Sequence, residues 1–296
     1  MAGMRAGRPD RIGSRAHWLA ALPLVVLLAG CSSLGSNALS SGAPESGDAA
    51  YATSPANIAS LTEVVTHNPK DPQAYNMRGT VFGQGHRYDE ALADFNKAIS
   101  IDPNYAQAYA NRGLVYRETG KLDLALADYD KAIGIDPSYS NAYLGRGMVY
   151  RAEDKPKPAL ADFNKAIAIR PDSAQAYYNR GLLYQAQNQH NYAIEDFTTA
   201  IGLSTNQAEP YVARALSYIA AKNYKDAASD LDQAVGIDPQ NIQAWVARGL
   251  AYERLGDKQK AAGSYARAIN IDENYQPARA GFARVGGQYG QAYQTF

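Results

Sequence analysis

One spacing governs this sequence. Gly79, Gly113, Gly147, Gly181 and Gly249 stand 34 residues apart, or a multiple of that, and Ala215 fills the slot between the last two. An arginine precedes each of the six: Arg78, Arg112, Arg146, Arg180, Arg214 and Arg248. The same step carries two aromatic columns, Tyr75, Tyr109, Tyr143, Tyr177, Tyr211, Trp245 and Phe82, Tyr116, Tyr150, Tyr184, Tyr218, Tyr252. Small residues recur at Ala91, Ala125, Ala159, Ala193, Ala227 and Ala261, and bulky ones at Phe95, Tyr129, Phe163, Phe197, Leu231 and Tyr265. Pro69, Pro103, Pro137, Pro171 and Pro239 punctuate the units. A length of 296 residues would otherwise admit one or two ordinary domains. A unit this short cannot bury its own apolar faces, so units must stack and the core must grow along one axis.

Inside a unit the period changes to that of a helix. Tyr109, Gly113 and Tyr116 stand at i, i+4 and i+7, one face of a first helix, and Ala125, Tyr129 and Ala132 share one face of a second. The Gly and Ala columns leave room for the two to cross closely. Pro103 cannot continue a helix, so the second helix ends before it. Pro158 is expected at the first position of a second helix, where no N–H partner is lost.

The composite pattern, aromatic-x₂-Leu-Gly-x₂-Tyr…Ala-x₃-Phe…Pro at 34 residues, resembles the tetratricopeptide repeat (TPR) family. The resemblance covers residues 72–275, six repeats, and implies an all-α, right-handed superhelical solenoid of helix-turn-helix units. Residues 55–71, with Ile58, Leu61, Val64 and Val65, read as a degenerate capping helix. Residues 276–285 read as a closing helix and 286–296 as a flexible tail. The departures are Arg where the family has Leu, Ala215 for Gly, and Thr205 and Glu273 where Pro is expected. They single out the junction between repeats four and five as the irregular joint.

The N-terminus reads as an address. Arg5, Arg8, Arg11 and Arg15 give way to an uncharged run from Trp18 to Leu28, which ends in Leu28-Ala29-Gly30-Cys31. A positive start, a short apolar stretch and small residues mark a secretory signal over residues 1–30. The stretch is about eleven residues, and a span needs about twenty. The chain has one cysteine, Cys31, so neither an intrachain disulfide nor a thiolate metal site can form. Leu-Ala-Gly-Cys resembles the bacterial lipobox. That resemblance implies lipidation at Cys31 (palmitate among the acyl chains), cleavage before it, and several chains that anchor the mature protein stably. Ser32 after the cysteine, rather than Asp, points to the periplasmic face of the outer membrane. Residues 31–54, rich in Ser, Gly and Ala, read as a flexible tether with a reach of about 25–30 Å.

Composition removes several functions. There are 29 basic and 29 acidic residues; without residues 1–30, which hold four Arg and Asp10, 25 face 28 and the net charge is −3. A nucleic-acid binder shows a basic face, so no nucleic-acid partner is expected. Fifteen of the 22 tyrosines fall in four repeat columns, so the aromatic richness is core rather than a base-stacking platform. His67, His86 and His190 lie at turns and repeat edges as surface residues, without metal spacing or a triad arrangement. Gly83-Gln84-Gly85 follows no strand and is not a phosphate loop. No enzyme activity, metal or cofactor is expected. Asp94, Asp128, Asp162, Asp196 and Asp230 each follow their arginine by sixteen residues, which reads as an Arg–Asp pair between the helices of a unit. Ser264 stands there in the sixth unit, so Arg248 should lack that partner.

The family resemblance implies that first helices line a concave groove for proteins or peptides. The inward positions carry over to Asn76 and Thr80; Asn111, Leu114 and Arg117; Leu144, Met148 and Arg151; and Tyr178, Asn179, Leu182 and Gln185. Gln73, Gln107, Glu118, Val212, Leu216, Ile219, Val246, Leu250, Glu253 and Arg254 extend the set. An apolar floor with polar walls suits an amphipathic helix or extended peptide. The Lys/Arg clamp that some TPR proteins use for a terminal carboxylate is missing. The chain thus resembles envelope TPR lipoproteins: a membrane contact through the lipid alone, and a scaffold or adaptor role. One such role brings cell-wall hydrolases to a tail-specific protease. The alternative is a pilotin-like factor that assembles a pilus or secretion machine.

Overall fold

A tight helical turn must put one residue into the left-handed region, and this requirement organises the hairpins. The computed structural model describes residues 52–293, so the signal, Cys31 and nearly all of the tether lie outside the described residues. Helix α1 spans Pro55–His67. Six hairpins follow: α2 (Pro72–Gln84) with α3 (Tyr88–Ile101), α4 (Ala106–Glu118) with α5 (Leu122–Ile135), and α6 (Ser140–Ala152) with α7 (Pro156–Ile169). The other three are α8 (Ala174–Ala186) with α9 (His190–Leu203), α10 (Ala208–Ala220) with α11 (Tyr224–Ile237), and α12 (Ile242–Leu255) with α13 (Lys258–Ile271). Helix α14, Gln276–Arg284, closes the array. Each helix packs against its neighbours in sequence, and each first helix also touches the first helix of the next unit, as in a TPR solenoid. Among the described residues there is no strand, and no helix is long and apolar enough to cross a membrane.

Within each hairpin the turn is a Schellman motif. In α4–α5 the Gly120 amide donates to the Arg117 carbonyl and the Lys121 amide to that of Tyr116, at 3.0 and 2.8 Å. The pivot has positive φ in every hairpin: His86, Gly120, Asp154, Asn188, Lys222 and Gly256. Gly, Asn, Asp and His tolerate that conformation; Lys has no such advantage. Between hairpins the connection opens with Asp102, Asp136, Asp238 or Asp272, whose carboxylate accepts from the amide two residues on. A backbone bond then closes the turn, as from Tyr139 to the Asp136 carbonyl. The joint between repeats four and five, residues 204–207, keeps the same length. Ser204 replaces the aspartate there, and among the described residues Gln207 makes no closing bond.

Pro158 is not where the sequence reading put it. Helix α7 starts two residues earlier, with Pro156 at its first position and Lys155 as N-cap. Pro158 sits third, still among the amides that have no partner inside the helix.

The glycine column answers a ring. A Cβ on Gly79, Gly147, Gly181 or Gly249 would stand 2.6–2.9 Å from the ring of Phe95, Phe163, Phe197 or Tyr265. Where Ala215 replaces glycine the opposing residue is Leu231, which has no ring to strike, and both are fully buried. A second complementarity runs between units. Tyr129 and Tyr265, which carry a hydroxyl that Phe95, Phe163 and Phe197 lack, face Gly145 and Gly281 of the next first helix; a Cβ on either glycine would lie 2.4 Å from the ring. Beyond α14 the chain has no regular element through residue 293. Tyr289 and Tyr293 nevertheless set their rings on Phe282, with centroids 5.1 and 5.7 Å away.

Candidate functional site

The arginine column carries charge that could have marked a ligand site, and that charge is engaged within the array. Arg78, Arg112, Arg146, Arg180 and Arg214 each donate through Nε and Nη2 to both oxygens of the aspartate sixteen residues on, at 2.7–2.8 Å. The aspartate side chains are only 6–8% exposed and the arginines 16–21%. The expected pair is therefore present in five units, and it has a third member. Nη1 reaches back sixteen residues to an acceptor on the preceding second helix: Thr62, Asn96, Asp130, Asn164 or Thr198. Each guanidinium also lies within 6.0 Å of two ring centroids, one from each aromatic column. The hydrogen bond to Asp162, with Asp130 beside it, holds the Arg146 guanidinium well above its ordinary range. In the sixth unit Arg248 is 1% exposed. It donates to Asp232 of the preceding repeat at 2.6 Å and to the Ser264 hydroxyl at 2.7 Å. The ladder is a fastener between units.

Ten of the expected groove residues fall into three groups. Asn76, Leu114, Leu144 and Asn179 are buried, which places them in the seam between neighbouring first helices rather than on an open floor. Thr80, Asn111, Arg151 and Gln185 tie those helices together. The Asn111 amide donates to Asn76 Oδ1 and Thr80 Oγ1, at 3.0 and 3.3 Å. Arg151 reaches Asn179 Oδ1 at 3.4 Å. Gln185 donates to the Ala213 carbonyl and Ser217 hydroxyl. Tyr178 leans on Phe197, 5.8 Å between centroids, and Leu182 packs beside it. Arg117 and Met148 form the third group. Arg117 Nη2 pairs with Glu118 at 2.5 Å, while Nη1 lies 2.9 Å from the Met148 sulfur.

A recess opens between α4 and α6. Five of the expected residues line it: Asn111, Leu114, Arg117, Leu144 and Met148. So do Ala110, Tyr129, Asn141, Gly145 and Gln175, which the sequence reading did not select. Tyr129 belongs to a second helix and reaches the recess because Gly145 has no side chain to cover its ring. Burial pushes the Tyr129 phenol up to about 12. The tyrosine and the glycine sixteen residues later were the available signal, but tyrosine in that column read as core.

None of the described histidines lines the recess. His67 Nδ1 contacts the Glu63 carbonyl and His86 Nδ1 the Tyr88 hydroxyl, both at 2.8 Å. His190, expected at the surface, is half-buried, and its Nδ1 makes no hydrogen bond among the described residues. Among the described residues no group of three or more His, Cys, Asp or Glu is placed to hold a metal.

Family models agree with this architecture. A tetratricopeptide repeat model matches residues 106–139 and 174–204, a TPR repeat model 84–118 and 147–188, and a further tetratricopeptide repeat model 212–277. No curated protein matches by sequence. The fold is shared with a chain of the APC/C hetero-tetramer Cut9-Hcn1 (18% identity, TM-score 0.67), over 76% of this chain and 44% of that one. This chain thus spans less than half of that relative. PilF of Pseudomonas aeruginosa has 20% identity and a TM-score of 0.66, over 72% of this chain and 97% of that one. MamA has 28% identity and a TM-score of 0.51, over 54% and 94%. Repeats of this type are scaffolds for protein or peptide partners. Six hairpins on one 34-residue pattern, matched by three models of the same repeat, establish that the chain belongs to the tetratricopeptide repeat family.

Proposed function

We propose that the protein is a lipid-anchored scaffold that receives a peptide or amphipathic helix along its first helices. Cys31 holds it to the periplasmic face of a bacterial outer membrane. The observation that carries the reading is the recess between α4 and α6, where polar groups from three units converge on one side of the array. Pockets with a few converging polar groups are where ligand orientation is set. The recruitment of cell-wall hydrolases to a tail-specific protease fits an anchored array of this kind. Pilus assembly is the second reading. It is favoured by the likeness to PilF and to PilW, a type IV pilus biogenesis factor, each covered over 97% of its own length.

Glutamates at Gln107, Asn141 and Gln175 test the groove, since these polar positions are half or fully exposed and tolerate charge without loss of fold. Wild type and the triple variant are expected to melt alike. The wild type alone should retain its partner from an envelope extract, a protease or hydrolase in the first reading and pilus components in the second. Equal retention by both would place the partner elsewhere. Cys31→Ser should release the protein from the membrane fraction; persistence there would defeat the anchor.

A further inference from the structure

The array contains one arrangement twice, and only one copy is complete. Tyr265 with Gly281 and Tyr129 with Gly145 are the same pair of columns, four repeats apart. At the C-terminal copy the Tyr265 hydroxyl donates to the Glu253 carboxylate at 2.9 Å, and Arg284 grips both oxygens of that carboxylate at 2.6 and 2.8 Å. At the other copy the column of Glu253 holds Arg117 and the column of Arg284 holds Met148. The cation is there, from the opposite side, but the carboxylate between it and the phenol is not. Tyr129 is 2% exposed, and its hydroxyl makes no hydrogen bond among the described residues. Arg117 Nη1 faces the thioether of Met148, a weak acceptor. Both donors line the same recess.

We propose that this recess binds a carboxylate side chain, Asp or Glu, of a partner peptide, through the Tyr129 hydroxyl and Arg117 Nη1. Glu118 does not preclude this, because it engages Nη2, and Arg146 shows one guanidinium of this chain shared by two carboxylates, Asp130 and Asp162. Met148, half-buried, yields Nη1 by turning its flexible thioether. Asn111, Asn141 and Gln175 rim the opening and can bond the peptide's amides. Further first helices continue on both sides, so a bound chain runs past the recess and presents a side chain there, not its end. The inference rests on the groove reading and adds which residue the partner must carry.

Random-sequence peptides displayed on phage, panned against the full chain in detergent, test it. Retained peptides are expected to share Asp or Glu at one position. Exchange of that residue for Asn or Gln should weaken binding about tenfold or more. Tyr129→Phe and Arg117→Gln should each remove most of that difference. Both variants fold, since Phe and Gln occupy the same columns at Phe163 and Gln185. Tyr129→Phe should leave the melting temperature in place, whereas Tyr265→Phe, which breaks the Glu253–Arg284 network, should lower it. Retained peptides without an acidic position, or an acidic preference that survives both variants, overturn the proposal and leave the groove standing. So does a preference that disappears when peptide C-termini are amidated, which would show a site for chain ends. If peptides bind no better than to the glutamate variant at Gln107, Asn141 and Gln175, the groove reading and the proposal fall together.

Discussion

At the scale of the residue, Arg146 and Arg248 do the same work with different partners, and that difference is measurable. Arg146 has Asp162 in its own unit and Asp130, 56% exposed, behind it. Asp130→Asn should therefore cost less than about 1 kcal/mol, as exposed ion pairs do. Arg248 meets Ser264 instead of an aspartate, and its carboxylate contact is Asp232, 38% exposed, which also accepts from the Tyr252 hydroxyl. A sealed pair broken on one side loses about 3–5 kcal/mol; with the exposure of Asp232 discounted, Asp232→Asn should cost about 2 kcal/mol or more. Ser264→Asp should recover much of the loss. Urea unfolding of the variants decides it, and equal losses at Asp130 and Asp232 would refute the account. The pair within each unit was legible because both of its columns keep their residue type. The third acceptor was not, because Thr62, Asn96, Asp130, Asn164, Thr198 and Asp232 share only the ability to accept a hydrogen bond. Tyr129 supplies a pH dependence. Its folded pKa is pushed up by burial to about 12, so its contribution is intact below about pH 10 and is lost as pH rises through about 12. Stability should fall in that window by up to about 1.4 kcal/mol per pH unit from this group, and Tyr129→Phe should flatten the slope.

At the scale of the element, the repeat demands a left-handed residue at each hairpin and a missing side chain at each crossing. Lys222 meets the first demand at a steric cost, φ 61°, where Gly120 and Gly256 meet it freely. The left-handed conformation costs an ordinary residue about 1–2 kcal/mol, and glycine's extra chain entropy returns part of that. Lys222→Gly should stabilise by about 0.5–1 kcal/mol in thermal or urea unfolding; a loss would mean the lysine side chain matters more than its backbone. At the crossings, Gly181→Ala brings a Cβ to 2.6 Å from Phe197 and should cost about 1–3 kcal/mol. The second change Phe197→Leu should recover part of it, because Ala215 and Leu231 already make that combination in repeat five. The glycine column could be read from sequence because its period is exact to the residue. Its reason, a ring sixteen residues away, shows only when Ala215 and Leu231 are seen to depart together. Pro158 was misplaced for a related cause: Pro156 and Pro158 both fit a first helical turn, and only the turn geometry after Asp154 decides between them.

At the scale of the molecule, a stack of units has no single stability. Each unit is held by its own packing and that of its neighbours, so cooperativity follows the continuity of the core. That continuity is uneven. From α10 to α14 the buried residues form one cluster, running from Val212 and Leu231 through Trp245 and Tyr265 to Phe282. Towards the N-terminus the buried residues divide into smaller clusters, centred on Phe95, Tyr129, Phe163 and Phe197. Helix α1 buries only Val65 and leaves Val64 39% exposed, while Met77 of α2 is 55% exposed. The ends could be placed from the sequence because both break the period. The unevenness could not, because the columns repeat almost equally in every unit, while the rings of Phe282, Tyr289 and Tyr293 add to the last core from beyond the sixth repeat. Native-state hydrogen exchange should therefore protect the amides of α11–α13 most and those of α1 and α2 least, with the step near residues 204–207, where the turn lacks its closing bond. Phe282→Ala would remove the ring that Tyr289 and Tyr293 cover, at about 3–5 kcal/mol. It should lower protection in α12 and α13 while α2–α5 exchange as before. Uniform protection along the chain, or a Phe282→Ala effect that reaches α2, would mean that the six units unfold as one.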